Sequence, residues 1–99
     1  MNTIQLRADN GNKNYAIFLG TSWLYPQEFQ VCANSKAEAL DLVGDYCEEN
    51  SLHTLYSDRN EIAGMCGVDQ TIEERAKTLH LTCCGKNGVY VIVTAINEL

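Results

Sequence analysis

Proline is nearly absent from this chain, occurring once in 99 residues, at position 26. Together with a hydrophobic fraction of 45%, this fits a single domain over residues 1–99. A chain of that size buries about two-thirds of the surface its unfolded form exposes, and a second domain has no room. Long apolar runs are missing too. None approaches the roughly 20 residues of a membrane span, and the opening MNTIQLRADNG has neither the basic start nor the apolar block of a signal peptide. A cytoplasmic protein without a membrane segment is therefore expected.

Basic residues are scarce where acids are dense. Between Glu38 and Glu74, Arg59 stands alone against ten acids, so this stretch carries −9 and its flanks +3, within a net charge of −6. Such asymmetry predicts a strongly negative side. Cysteine is present five times, an odd number set in strands and helix faces, so free thiols rather than a disulfide framework are expected. Internal repeats, G-x-S-x-G, H-E-x-x-H, Walker-type and G-x-G-x-x-G signatures are all lacking. No cofactor and no catalytic residue is expected on these grounds.

The best-defined stretch is Phe29–Asn50, FQVCANSKAEALDLVGDYCEEN. Phe29–Ala33 reads as a strand, and Ser35-x-x-Glu38 forms a capping box that starts a helix near Lys36. Ala39, Leu40, Val43, Tyr46 and Cys47 then form an apolar stripe, opposite Glu38, Asp41, Asp45 and Glu48. Glu48 and Glu49 sit at the negative C-terminal end of this helix and Lys36 at the positive end, each opposed to the macrodipole by about 0.3–1 kcal/mol. A departure from local preference with no visible compensation marks a candidate for function.

Around this helix, Thr3–Ala8 alternates as a half-buried strand, and Asp9–Asn12 is expected to turn it into a hairpin with Tyr15–Leu19, a central strand apolar on both faces. The loop Gly20–Gln27 carries Trp23 and Tyr25, whose rings suit them as binding anchors or as a lid on the core. Leu52–Ser57 is a short strand candidate. Asp58-x-x-Glu61 and Thr71-x-x-Glu74 open two short helices between Arg59 and Leu79. Gly85-Lys86-Asn87-Gly88 reads as a hairpin turn before Val89–Ile96, expected as one further central strand. The order predicts an α+β fold: a mainly antiparallel β-sheet with one main helix and two short helices packed on one face.

Three constellations could carry chemistry. The segment IAGMCGVDQTIEERAKTL resembles a helix-turn-helix through Ala63, Gly67, Val68 and Ile72, but the spacing from Gly67 to Ile72 is one residue short. Glu73 and Glu74 at the start of the second helix would repel phosphates, so direct nucleic-acid binding is not expected. His80-x-x-Cys83-Cys84 has the residue types of a zinc site. Adjacent strand residues point to opposite faces, however, and no C-x-x-C pair accompanies them, so no metal site is expected. The third is the acidic set Glu38, Asp41, Asp45, Glu48, Glu49, Glu73 and Glu74.

A strand followed by S-K-A-E-A-L-D-L-V and an acidic helix end, in a small acidic chain, resembles the small uncharacterised accessory proteins of Firmicutes phages and conjugative elements. The resemblance covers chiefly Phe29–Glu49. It implies a single-domain protein that works by binding, sometimes as an inhibitor of a host nucleic-acid-handling or defence protein. The function expected is a non-enzymatic protein-interaction module whose acidic face docks a basic partner surface. The alternatives are a small-ligand-binding or sequestering protein with an aromatic pocket at Trp23 and Tyr25, assembled as a homo-oligomer, and a Cys/His-dependent enzyme around His80 and Cys84.

Overall fold

The computed structural model describes residues 3–20, 27–52 and 56–99. Its elements run β1 (Thr3–Arg7), β2 (Lys13–Leu19), β3 (Gln27–Ala33), α1 (Lys36–Glu49), β4 (Tyr56–Ser57), α2 (Arg59–Gly64), α3 (Ile72–Thr78), β5 (Thr82–Cys84), β6 (Val89–Val91) and β7 (Val93–Glu98). They build an α+β fold with one main helix and two short ones. The strands form a four-stranded sheet of order β1-β3-β2-β7 and a three-stranded sheet of order β4-β6-β5.

The expected hairpin of β1 and β2 does not form. Strand β3 inserts between them, antiparallel to β2 and parallel to β1, with Ile4 opposite Phe29 and Leu6 opposite Val31. Both arrangements place Ile4 and Leu6 on the core side, so alternation alone cannot choose between them. The connection crosses the end of β3. The Ala8 N–H donates to the Cys32 carbonyl at 2.8 Å, and a Cβ on Gly11 would lie 2.7 Å from that oxygen. Glycine is required where two backbones approach so closely.

Val89–Ile96, expected as one strand, is two. Its first part lies at the centre of the small sheet, pairing with β4 and β5. After Ile92 the chain joins the edge of the large sheet as β7, against β2. The β2 register shifts between Phe18 and Leu19, and the Thr94 hydroxyl donates to the Phe18 carbonyl there at 3.1 Å. A bulge of this kind bends a strand so that it can serve two sheets.

Helix α1 lies in the angle between the sheets. Ala39, Val43 and Cys47 are fully buried among Ile17, Leu19, Phe29 and Val31 of the large sheet and Val89 and Val91 of the small one. Leu40 and Tyr46 are half-buried against the same core, and the Tyr46 ring meets Phe29 edge-on, centroids 5.6 Å apart. Residue Tyr90, between Val89 and Val91, faces the other way and forms a second cluster with Ile62 of α2 and Ala76 of α3.

The caps follow the sequence with one change. Ser35 accepts the Glu38 N–H, and Glu38 in return takes the N–H of Asn34 at 2.8 Å rather than that of the cap residue. Asp58 accepts the Glu61 N–H at 2.8 Å. Thr71 and Glu74 form the full reciprocal box. Helix α2 stops at Gly64 and leaves Met65, its C-cap, 43% exposed.

Candidate functional site: the acidic row of the main helix

Asp41, Asp45 and Glu48 stand one helical turn apart along one side of α1, because residues spaced by three or four share a face. That side meets the β5–β6 turn. The Gly85 N–H donates to Asp41 Oδ1 at 3.0 Å, the Lys86 N–H to Asp45 Oδ1 at 2.9 Å, and the Asn87 amide to Glu48 Oε1. Three consecutive turn residues are thus held by three successive carboxylates. Turn N–H groups lack ladder partners and need another acceptor, and charged acceptors make the stronger bonds.

Two glycines allow the approach. On Gly44 a Cβ would come within 2.8 Å of the Cys84 carbonyl carbon, its oxygen and its sulfur. Gly85 has φ +84°, and a Cβ there would meet the backbone of Gly44 and Asp45 at 3.1 Å. From the sequence, Glu48 at the negative end of the helix has no visible compensation. Compensation exists, and the hairpin turn supplies it.

The row continues beyond the helix. Glu48 and Asp58 line one hollow of about 350 Å³ together with Arg59 and Asn87, and Arg59 reaches Glu73 at 3.5 Å. The structure therefore brings Asp41, Asp45 and Glu48 into one row, with Glu73 linked to its end only through Arg59. Glu38 and Glu74 are engaged at helix caps, and the carboxylate of Glu49, at the exposed last residue of α1, has no hydrogen bond or ion pair among the described residues. Trp23 and Tyr25, like His53, lie outside the described residues. Asp58, Arg59 and the Gly85–Asn87 turn belong to this region without having been singled out from the sequence. Gly44, a glycine inside a strongly periodic helix, was the available signal for the turn.

The thiols sort by burial. All five are free, and burial pushes both Cys47 and Cys84 up to about 12, with Cys47 and Asp41 adding to the effect at Cys84. Cys84 is thus a core residue, protonated at neutral pH, whereas its neighbour Cys83 is exposed. His80 is exposed at the end of α3 with φ +58°. The pairing of His80 with Cys84 as a reactive couple has no support in this arrangement, since a nucleophilic cysteine needs thiolate character and access. Among the described residues no group of three or more His, Cys, Asp or Glu side chains is arranged to hold a metal ion, and no helix is long and apolar enough to cross a membrane. A larger hollow, about 550 Å³, lies against the large sheet, where Gln5, Arg7, Asn14 and Gln30 line it with one side-chain cation and no acidic side chain. Compared with protein-family models, with curated proteins and with solved structures, the chain finds no match in any of the three.

Proposed function

We propose that the chain is a non-enzymatic protein-interaction module that presents the carboxylates of Asp41, Asp45, Glu48 and Glu49, extended by Glu73, to a basic surface on a cytoplasmic partner protein. Glu38 and Glu74 add to the field of this surface from the helix starts. The observation that carries the reading is the fixing of Asp41, Asp45 and Glu48 by residues 85–87. Side chains already held in one geometry lose less entropy on docking. Each uses one oxygen in these bonds, and a carboxylate has about four lone-pair sites, so further donors can be accommodated.

The partner class follows from the charge. Helical rises of about 6 and 4.5 Å between the three acids give about one charge per 5 Å, somewhat sparser than one phosphate per 3.4 Å along a nucleic-acid strand. A groove built for nucleic acid would accept such a row at reduced charge density. The chain would then act as an inhibitor of a nucleic-acid-handling or defence protein.

The test replaces Asp41 and Asp45 with Asn and Glu48 and Glu49 with Gln. These variants keep an acceptor oxygen for the turn, so the fold is retained while charge is lost. A basic partner recovered from host lysate binds wild type with an on-rate that falls steeply with salt, and binds the neutralised chain far more weakly. A partner bound equally by both, without salt dependence, refutes the reading.

A further inference from the structure

On the side of the small sheet away from α1, Tyr90 forms the floor of a hollow of about 330 Å³, with Ala76 and Leu81 completing its apolar lining. Two cations line it, Arg59 from α2 and Lys77 from α3, with the Glu73 carboxylate and the Cys83 thiol beside them. We infer that this hollow is a binding site for a small organic anion, a phosphate or carboxylate carried on a flat apolar body.

The cations are available for such a ligand. Arg59 donates to the Tyr90 hydroxyl at 3.3 Å and reaches Glu73 at 3.5 Å. Both distances exceed the usual 2.9–3.0 Å for N–H···O bonds, so the guanidinium is held loosely, and a bidentate oxyanion offers it better geometry. Glu73 is 69% exposed and can turn away into water. Lys77 has no carboxylate within 4.0 Å among the described residues. With Glu73 counted, the hollow keeps a surplus of one positive charge.

Arginine has no acceptor atom, so the Arg59 contact uses the Tyr90 phenol oxygen, and the phenolic proton is taken up in a side-chain hydrogen bond with Cys83. Burial raises the Tyr90 pKa first, helped by Cys83 and Glu73 and opposed by Arg59, so the hydroxyl keeps that proton at neutral pH. The tyrosine ring, with Leu81 and Ala76, supplies a surface for the ligand body. The volume stands at the low end of small-molecule sites, which restricts the ligand to about the size of one substituted ring.

The site shares Arg59 and Glu73 with the edge of the acidic surface but none of Asp41, Asp45, Glu48 and Glu49, and its test uses phenyl phosphate as the anion. Titrated into the isotope-labelled full chain, phenyl phosphate shifts the amide resonances of Lys77, Cys83 and Tyr90 in a saturable way at millimolar concentration and slows alkylation of Cys83. Benzyl alcohol, the same ring without charge, does neither. Lys77→Gln and Arg59→Gln each weaken binding about tenfold, the effect of losing one charged hydrogen bond, while Lys77→Arg retains it. The methyl resonances of Ile62 and Val91 report that each variant is folded. Absence of saturable shifts at these residues, equal binding of benzyl alcohol, or full affinity in both Gln variants overturns the assignment.

Discussion

Replacing Gly44 by alanine tests the approach of helix and turn directly, because two effects of opposite sign meet at one methyl group. In a helix interior Ala is favoured over Gly by about 1 kcal/mol. At position 44, however, the new Cβ would lie 2.8 Å from the backbone carbonyl group of Cys84. Reaching ordinary contact at 3.4 Å requires a movement of about 0.6 Å between a central helix and a strand, and overpacking of this kind costs about 1–3 kcal/mol. The same movement stretches the bonds from Asp41 and Asp45 to the turn, and weakened hydrogen bonds add about 1 kcal/mol. The net expectation for Gly44→Ala is a loss of about 1–3 kcal/mol, which lowers Tm by about 4–20 °C in a domain of this size. Gly64→Ala is the matched control, since a Cβ there meets nothing within 4 Å; it should leave stability unchanged or raise it by up to about 1 kcal/mol. Thermal and urea denaturation of both variants decide the matter. A Gly44→Ala protein as stable as Gly64→Ala would show that helix and turn are farther apart than described.

Phe29→Ala should cost about 3–5 kcal/mol, since the side chain is fully buried and loses its edge-on contact with Tyr46; a urea midpoint that barely moves would refute the packing of β3 against α1. In the native protein an aromatic disulfide reagent should modify Cys83 first, Cys32 and Cys66 more slowly, and Cys47 and Cys84 only on unfolding, following their exposure. Early loss of either buried thiol, followed by mass spectrometry of the peptides, would contradict the core. Cys47 and Cys84 are raised from 9.0 to about 12, so the native state binds their protons more tightly than the unfolded chain does. Their contribution is fully present below pH 9 and is lost as pH rises from 9 towards 12, and Cys47→Ala should flatten this alkaline fall in denaturation midpoint.

What was legible in the sequence were the features written by neighbours along the chain. Ser35, Asp58 and Thr71 mark three helix starts because a cap and its recipient lie within three residues. The stripe of Ala39, Val43 and Cys47 marks the buried side of α1, and Gly85–Gly88 marks a hairpin. The parallel pairing of β1 with β3 was not legible. It is set by what inserts between two strands, and the alternation of Ile4 and Leu6 fits either neighbour. The division at Ile92 was hidden for a related reason: a run apolar on both faces suits one strand inside one sheet and equally a strand that hands its faces to two sheets. The partners of Asp41 and Asp45 were invisible because the donors are backbone N–H groups, which every turn possesses.

The acids of α1 differ in how far folding and charge can be separated at each. An adverse dipole contribution of about 0.3–1 kcal/mol at Glu48 is offset by its bond to Asn87, since hydrogen bonds to charged groups contribute about 1.5–3 kcal/mol. Asp41 and Asp45 likewise stabilise the turn, so substitutions there change folding and the proposed docking surface together. Glu49 is different: it shares the unfavourable helix end, is exposed, and has no hydrogen bond or ion pair among the described residues. Glu49 is thus an acid of the proposed surface to which no polar contact among the described residues is tied. Within the neutralised set, Glu49→Gln therefore isolates charge at the partner surface from charge at the turn, which no substitution at Asp41, Asp45 or Glu48 can do.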